Sequence, residues 1–133
     1  MGTSIGEQRR RLVEQRKDFE VEYRFYSPEE GGRKNSSFYQ GYRCDWLYDG
    51  DALEEGIWMI WPIFLDDTGS VVDPGSRVAN EGKAQMLIVN DELRATLHAK
   101  RLNIGVRGYF MEGSQRVAEA IVTKLLAISE VVP

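Results

Sequence analysis

The side chains in this sequence that could carry chemistry are few, and their spacing does not favour a reaction. The one cysteine, Cys44, follows Arg43, and a neighbouring guanidinium is the kind of group that lowers a thiol pKa. The one histidine, His98, is the only imidazole that could serve such a thiol as a base, and it lies 54 positions further on in a separate expected strand. Single copies of both residues also exclude an intrachain disulfide and every Cys/His zinc pattern. Asp49, Asp51 and Glu54 could crowd round a cation, but their spacing departs from the helix-loop-helix calcium loop, so an acidic turn is expected. A phosphate-cradling loop needs four residues between its glycines and a hydroxyl after the lysine. Gly75 to Gly82-Lys83 offers six intervening residues and Ala84. These counts predict no catalytic residue, no metal, no cofactor and no nucleotide.

Charge divides the chain more clearly than chemistry does. The 133 residues hold 17 basic and 21 acidic side chains, a net charge of -4. Residues 1–17 run the other way, with Arg9, Arg10, Arg11, Arg16 and Lys17 against Glu7 and Glu14. From Asp45 to Asp73 there are eight acids and no Lys or Arg, a stretch that repels a phosphate backbone. Arg9, Arg10, Arg11 and Arg16 are therefore the candidate anion-binding group. No apolar run reaches the ~18 residues of a membrane span, and the start lacks a signal-peptide pattern, so no membrane association and a cytoplasmic location are expected.

The elements that must position any site read mostly as strands. Residues 1–17 have only Leu12 and Val13 as sizeable apolar groups near the basic cluster, which predicts a frayed helix or a disordered arm ahead of one domain over 18–133. Phe19, Val21, Tyr23 and Phe25 alternate with Glu20, Glu22 and Arg24, the pattern of a half-buried strand. Residues 27–37 read as a loop, 38–48 as an aromatic strand, and 57–65 as an apolar strand in which Pro62 demands an edge, bulge or bend. Trp58 and Trp61 fall on opposite phases of that run, which leaves core and interface both open for them. Residues 86–89 read as a short buried strand, and residues 93–100 alternate as a strand that puts His98 on the polar side. Ile104 to Met111 continues in the same character, while Val117, Ile121, Leu125 and Ile128 recur at helical spacing. Short strands and Gly-containing turns at this density predict an all-β barrel or sandwich. Phe19, Val21, Tyr23, Phe25, Ile88, Leu97 and Val117 are expected in its core.

Three motifs in order carry a family likeness. Phe19-Glu20-Val21-Glu22-Tyr23, Ser27-Pro28-Glu29-Glu30-Gly31-Gly32-Arg33 and Phe38-Tyr39-Gln40-Gly41-Tyr42-Arg43 closely resemble successive motifs of the third domain of translation elongation factor Tu. Val106-Arg107, Glu112-Gly113, Val117 and Val122 to Leu126 look like that domain's closing strands, so the likeness covers roughly two-thirds of residues 18–127. It implies a closed, six-stranded antiparallel β-barrel with a short N-terminal extension, and it implies a strand where the periodicity of 117–128 suggests a helix. In that family the Glu-Glu-Gly-Gly-Arg loop lies near an interface with the GTPase domain. The residue that touches the tRNA backbone there is matched here by Asp45, and a carboxylate repels phosphate, so selective tRNA binding is not expected.

The combination points to a non-enzymatic protein-binding module. Its candidate partner surface is Glu29, Glu30, Gly31, Gly32 and Arg33 with Tyr42 and Arg43. The alternative is an RNA- or ribosome-associated protein that uses the basic arm; an enzyme of unrecognised type is the third reading.

Overall fold

Six strands close into an antiparallel barrel in this computed structural model, which describes residues 4–131. The first three residues of the expected arm and the last two of the expected barrel domain lie outside them. The strands are β1 (Phe19–Phe25), β2 (Asp45–Tyr48), β3 (Trp58–Phe64), β4 (Glu81–Ile88), β5 (Arg107–Glu112) and β6 (Gln115–Leu125). Their order round the wall is β1, β4, β3, β2, β5, β6, and β6 pairs with β1 to complete the circuit. Alternation decides what fills the barrel: Phe19, Val21, Tyr23 and Phe25 point inward from β1 to meet Trp46, Tyr48, Phe64 and Phe110. Ala84, Ala118 and Ala120 supply the small partners such a core needs. Gly108, opposite Tyr48 in the β2–β5 register, lets Trp46 lie against β5, because a Cβ there would stand 2.2 Å from the indole ring. Each buried aromatic contributes about 1.5–3 kcal/mol of burial free energy, so the core rests on these rings.

A buried carboxylate fastens the end of the barrel where the strands meet the rest of the chain. Asp18 is fully buried. Its Oδ1 accepts from Arg94 Nε at 2.6 Å and Arg16 Nε at 3.1 Å, and its Oδ2 accepts from the Ile88 N–H at 2.9 Å. The Asp18 carbonyl takes the N–H groups of Leu126 and Ile128 at 2.9 and 3.1 Å. One residue thus ties the entry to β1, the exit of β4, the segment after β4 and the chain after β6.

Several elements differ from the sequence expectation, each for a physical reason. Only Asp45–Tyr48 of residues 38–48 is a strand; Phe38 and Tyr39 instead reach across to 77–78, through the Tyr39–Arg77 bridge and the Val78 N–H to Phe38 carbonyl bond. Residues 93–100 are not a strand. Asn90 caps a helix over residues 91–101, its side chain accepting from the Leu93 N–H at 2.9 Å, with Asp91 and Glu92 in the first turn and Lys100 and Arg101 in the last. A π turn over Arg94–His98 shifts the helical phase and turns His98 inward, so His98 is buried rather than at the rim, while Leu97 is only half-buried. Residues 117–128 follow the strand expectation through Leu125, because pairing with both β1 and β5 outweighs their helical spacing.

The basic arm forms helix α1 (Ile5–Glu14), N-capped by Ser4 and burying none of its residues. Pro62 sits in β3, where β2 has already stopped pairing, since the β2–β3 ladder comprises only Asp45–Met59 and Trp46–Trp58. Met59 and Leu65 bond towards β4, through the Val89 N–H and the Lys83 carbonyl, so alternation turns the Pro62 nitrogen to the opposite, unladdered side. The buried Gln40 amide takes the place of a strand there, accepting from the Phe64 N–H at 2.9 Å and donating to the Phe64 carbonyl at 3.0 Å.

Replacing Asp18 by Ala strands Arg94, Arg16 and the Ile88 N–H together. The expected loss is about 3–5 kcal/mol of unfolding free energy, read from the urea midpoint at constant slope. A loss below about 1 kcal/mol would show that the carboxylate does not fasten the barrel.

Candidate functional site

The loop after β1 is held in one shape by its own residues and by the strands beside it. Ser27 opens a short 3-10 turn with Pro28 at its first position, and a capping box links Ser27 and Glu30. Glu30 also receives Arg24 Nη1 at 3.0 Å, while Arg24 Nε goes to Glu119 at 3.1 Å. The Arg24 guanidinium, helped by the Ser27 N–H, holds the Glu30 carboxyl down at about 2. Gly31 ends the turn at φ +93°, a conformation that side chains rarely adopt. Gly32 comes so near the chain that a Cβ would lie 2.4 Å from the Tyr26 carbonyl oxygen. No other residue fits this Gly-Gly pair without moving the backbone.

Arg33 closes the loop from the other side. Its Nη2 donates to the Ser37 carbonyl at 2.7 Å, its Nε to the Asn35 carbonyl at 2.6 Å and its Nη1 to Glu112 at 2.9 Å. The guanidinium lies 4.0 Å over the Phe38 ring, which stacks on Phe25 in the core. The Tyr42 hydroxyl donates to the same Glu112 carboxylate, and burial first, then that bond, pushes its pKa up. The structure therefore brings Glu29 to Arg33 and Tyr42 together round the end of the barrel, with Glu112 as the joint. Glu112 escaped the sequence reading because its role appears only once β5 lies beside the loop. Arg43 belongs elsewhere, exposed and 4.2 Å over the Trp61 ring. Glu29 is exposed and has no partner among the described residues.

The four candidate anion-binding arginines are placed differently. Arg9 on α1 pairs with Asp73 at 3.0 Å in the segment between β3 and β4, and Arg16, just past the helix, is engaged by Asp18 and the Ile88 carbonyl. Only Arg10 and Arg11 of the four remain exposed without a partner among the described residues.

Cys44 and His98 do not form a reactive pair. Burial, followed by the Asp45 charge, pushes the Cys44 thiol up, so it stays protonated at neutral pH. His98 shares a 2.7 Å hydrogen bond with Tyr48 through Nδ1, and Trp58 stands edge-on to its ring at 5.5 Å. Desolvation, with Arg101 adding to it, pushes His98 down to about 4. Arg101 is held by a two-pronged bond to Asp51 at 2.6 and 3.0 Å and lies 4.0 Å over the Tyr48 ring. The sequence reading missed this cluster because it took 93–100 for a strand; Asn90-Asp91-Glu92 and Lys100-Arg101, a helix start and stop, were the available signal.

Among the described residues no group of three or more His, Cys, Asp or Glu is placed to hold a metal ion, and no helix is long and apolar enough to cross a membrane. No protein-family model and no curated protein sequence matches the chain.

His98 fixes the sign of one pH effect. Its unfolded value is 6.5 and its folded value about 4, so the unfolded chain binds the extra proton between them and stability falls as pH drops through that window. The melting temperature should decline from pH 6.5 towards 4.5, before most carboxylates titrate, and His98→Gln should flatten the decline. An equal decline in both proteins would place the titration elsewhere.

Proposed function

We propose that the chain is a non-enzymatic protein-binding module, a barrel resembling the third domain of elongation factor Tu whose Glu29–Arg33 end meets a protein partner. One observation carries the reading: the loop is locked by Arg33, Glu30 and the Gly-Gly pair, yet Glu29 at its tip is exposed and unengaged. A surface already in its bound shape loses little conformational entropy on association. The sequence likeness supports the same place, since the matching loop lies near a domain interface in that family. The buried, protonated Cys44 and the neutral His98 favour binding over nucleophilic chemistry.

Arg10 and Arg11, exposed on α1, favour a second reading in which the protein associates with RNA. Asp45 on β2 argues against selectivity for tRNA in either case.

Affinity capture from a lysate, followed by mass spectrometry, distinguishes the two. A protein captured by the wild-type chain should be depleted at least about tenfold by Glu29→Arg, and Glu54→Arg, on a different turn, should leave it untouched. Equal capture by both variants contradicts the proposal. RNA recovered in place of protein, and lost with Arg10→Glu and Arg11→Glu, would favour the second reading.

A further inference from the structure

The outer wall of the barrel changes character from strand to strand. Between β1 and the first residues of β4 it is charged, with Glu22 opposite Lys83 and Arg24 opposite Glu81. Across β3 and the last residues of β4 it is apolar. Ile60, Phe64, Met86 and Ile88 belong to the core, so alternation turns Trp61, Ile63 and Leu87 outward, with Trp61 and Leu87 directly opposite in the register. Side chains of that size on an outer wall mark a surface that something covers. Part of the cover is helix α1, which sets Leu12 on this strip.

The cover fits loosely. α1 buries none of its residues, and a groove of about 160 Å³ remains where Leu12 and Gln15 meet Trp61, Ile63 and Leu87. Trp61 and Leu87 stay half-buried. Among the described residues the helix makes one ion pair with the barrel, Arg9 with Asp73, whose side chains are 44% and 57% exposed, and a pair so open to water adds little. A ten-residue helix without packing is itself marginal. Arg16, bonded to Asp18 and the Ile88 carbonyl, fixes the chain just past the helix, so α1 can lift without disturbing the start of β1.

We propose that α1 is a displaceable strap and that the Trp61–Ile63–Leu87 strip beneath it docks an amphipathic helix of a partner protein, with a basic residue on one flank. What α1 does in place shows what the strip accepts. A cation at the position of Arg9 meets Asp73, in a segment from Asp66 to Asp73 that holds three acids and no Lys or Arg. The helix end at Gln15 borders the same groove as Arg43, a charge of the sign that a helix C-terminus favours. The groove beside Leu12 takes a larger side chain, so a helix with an aromatic residue there fills what α1 leaves open. None of Glu29 to Arg33 lines this groove, so the proposal does not rest on the reading of that loop.

The probe is a synthetic peptide of residues 4–15 with Leu12→Phe, held helical by a hydrocarbon staple across the exposed positions 10 and 14 and labelled with fluorescein at its N-terminus. Its anisotropy is titrated with the full chain. A chain carrying Arg9→Glu and Leu12→Asp, whose own helix no longer competes, should bind the peptide at least about tenfold more tightly than the wild type and melt at the same temperature. Adding Trp61→Ala or Leu87→Ala to that chain, or Arg9→Glu to the peptide, should each weaken binding at least about tenfold. Equal affinity for the wild-type and released chains would show that α1 does not guard the strip and overturn the proposal. Absence of saturable binding to the released chain, or indifference to both barrel substitutions, would overturn it too. Sedimentation in which the released chain pairs with itself and takes up no peptide would assign the strip to a second copy, which also contradicts it.

Discussion

A fully buried carboxylate is costly unless every lone pair is used, and Asp18 uses them on groups from three separate parts of the chain. Its backbone adds two more ties, to Leu126 and Ile128, and Arg94 extends the network by donating to the Ala127 carbonyl at 3.1 Å. The arrangement fixes where β1 begins relative to the end of β4 and the end of β6. Since β1 pairs with β4 and β6, its start sets the register at two of the six seams of the wall. A slip of one residue would turn Phe19, Val21, Tyr23 and Phe25 out of the barrel.

The same register positions the loop at the other end of β1. Arg24 is opposite Glu119 on β6, so the guanidinium that pins Glu30 is itself aimed by strand pairing. Glu112 closes β5 beside the loop and receives Arg33 and Tyr42. The loop's shape is therefore a consequence of the barrel's closure as much as of its own sequence. Exposed ion pairs of this kind contribute little each, about 0–1 kcal/mol, so their role is to define a conformation rather than to hold the fold.

Where the burial pattern had one dominant period, the sequence was legible. Strand β1 alternates in sequence throughout and in burial everywhere except at Glu20, which is buried on the polar phase, and the loop after it follows from Pro28, Gly31 and Gly32. The segment 93–100 misled because Leu93, Ala95, Leu97 and Ala99 satisfy a period of two while the Asn90 cap and terminal charges specify a helix, and a π turn breaks the usual spacing. Residues 117–128 misled in the opposite direction: Ile121 and Leu125 are half-buried on a paired strand, so apolar residues on both faces imitate helical spacing. Strand residues 38–44 were overread because an aromatic run specifies burial, not the ladder that delivers it. Glu112, Asp18 and Gln40 could not be found at all, since their partners lie far away in sequence.

The Glu29–Arg33 loop holds one conformation in the protein by itself. Amide hydrogen exchange at Glu30, Gly31 and Gly32 in the free protein tests this directly, because their N–H groups donate to the Ser27 and Pro28 carbonyls at 3.0–3.1 Å. All three are expected to exchange markedly more slowly than the unbonded amide of an exposed chain, and Arg33→Ala is expected to remove that protection while the β1 amides keep theirs. Exchange at the unprotected rate in the wild-type protein would show a loop without fixed shape and contradict the claim.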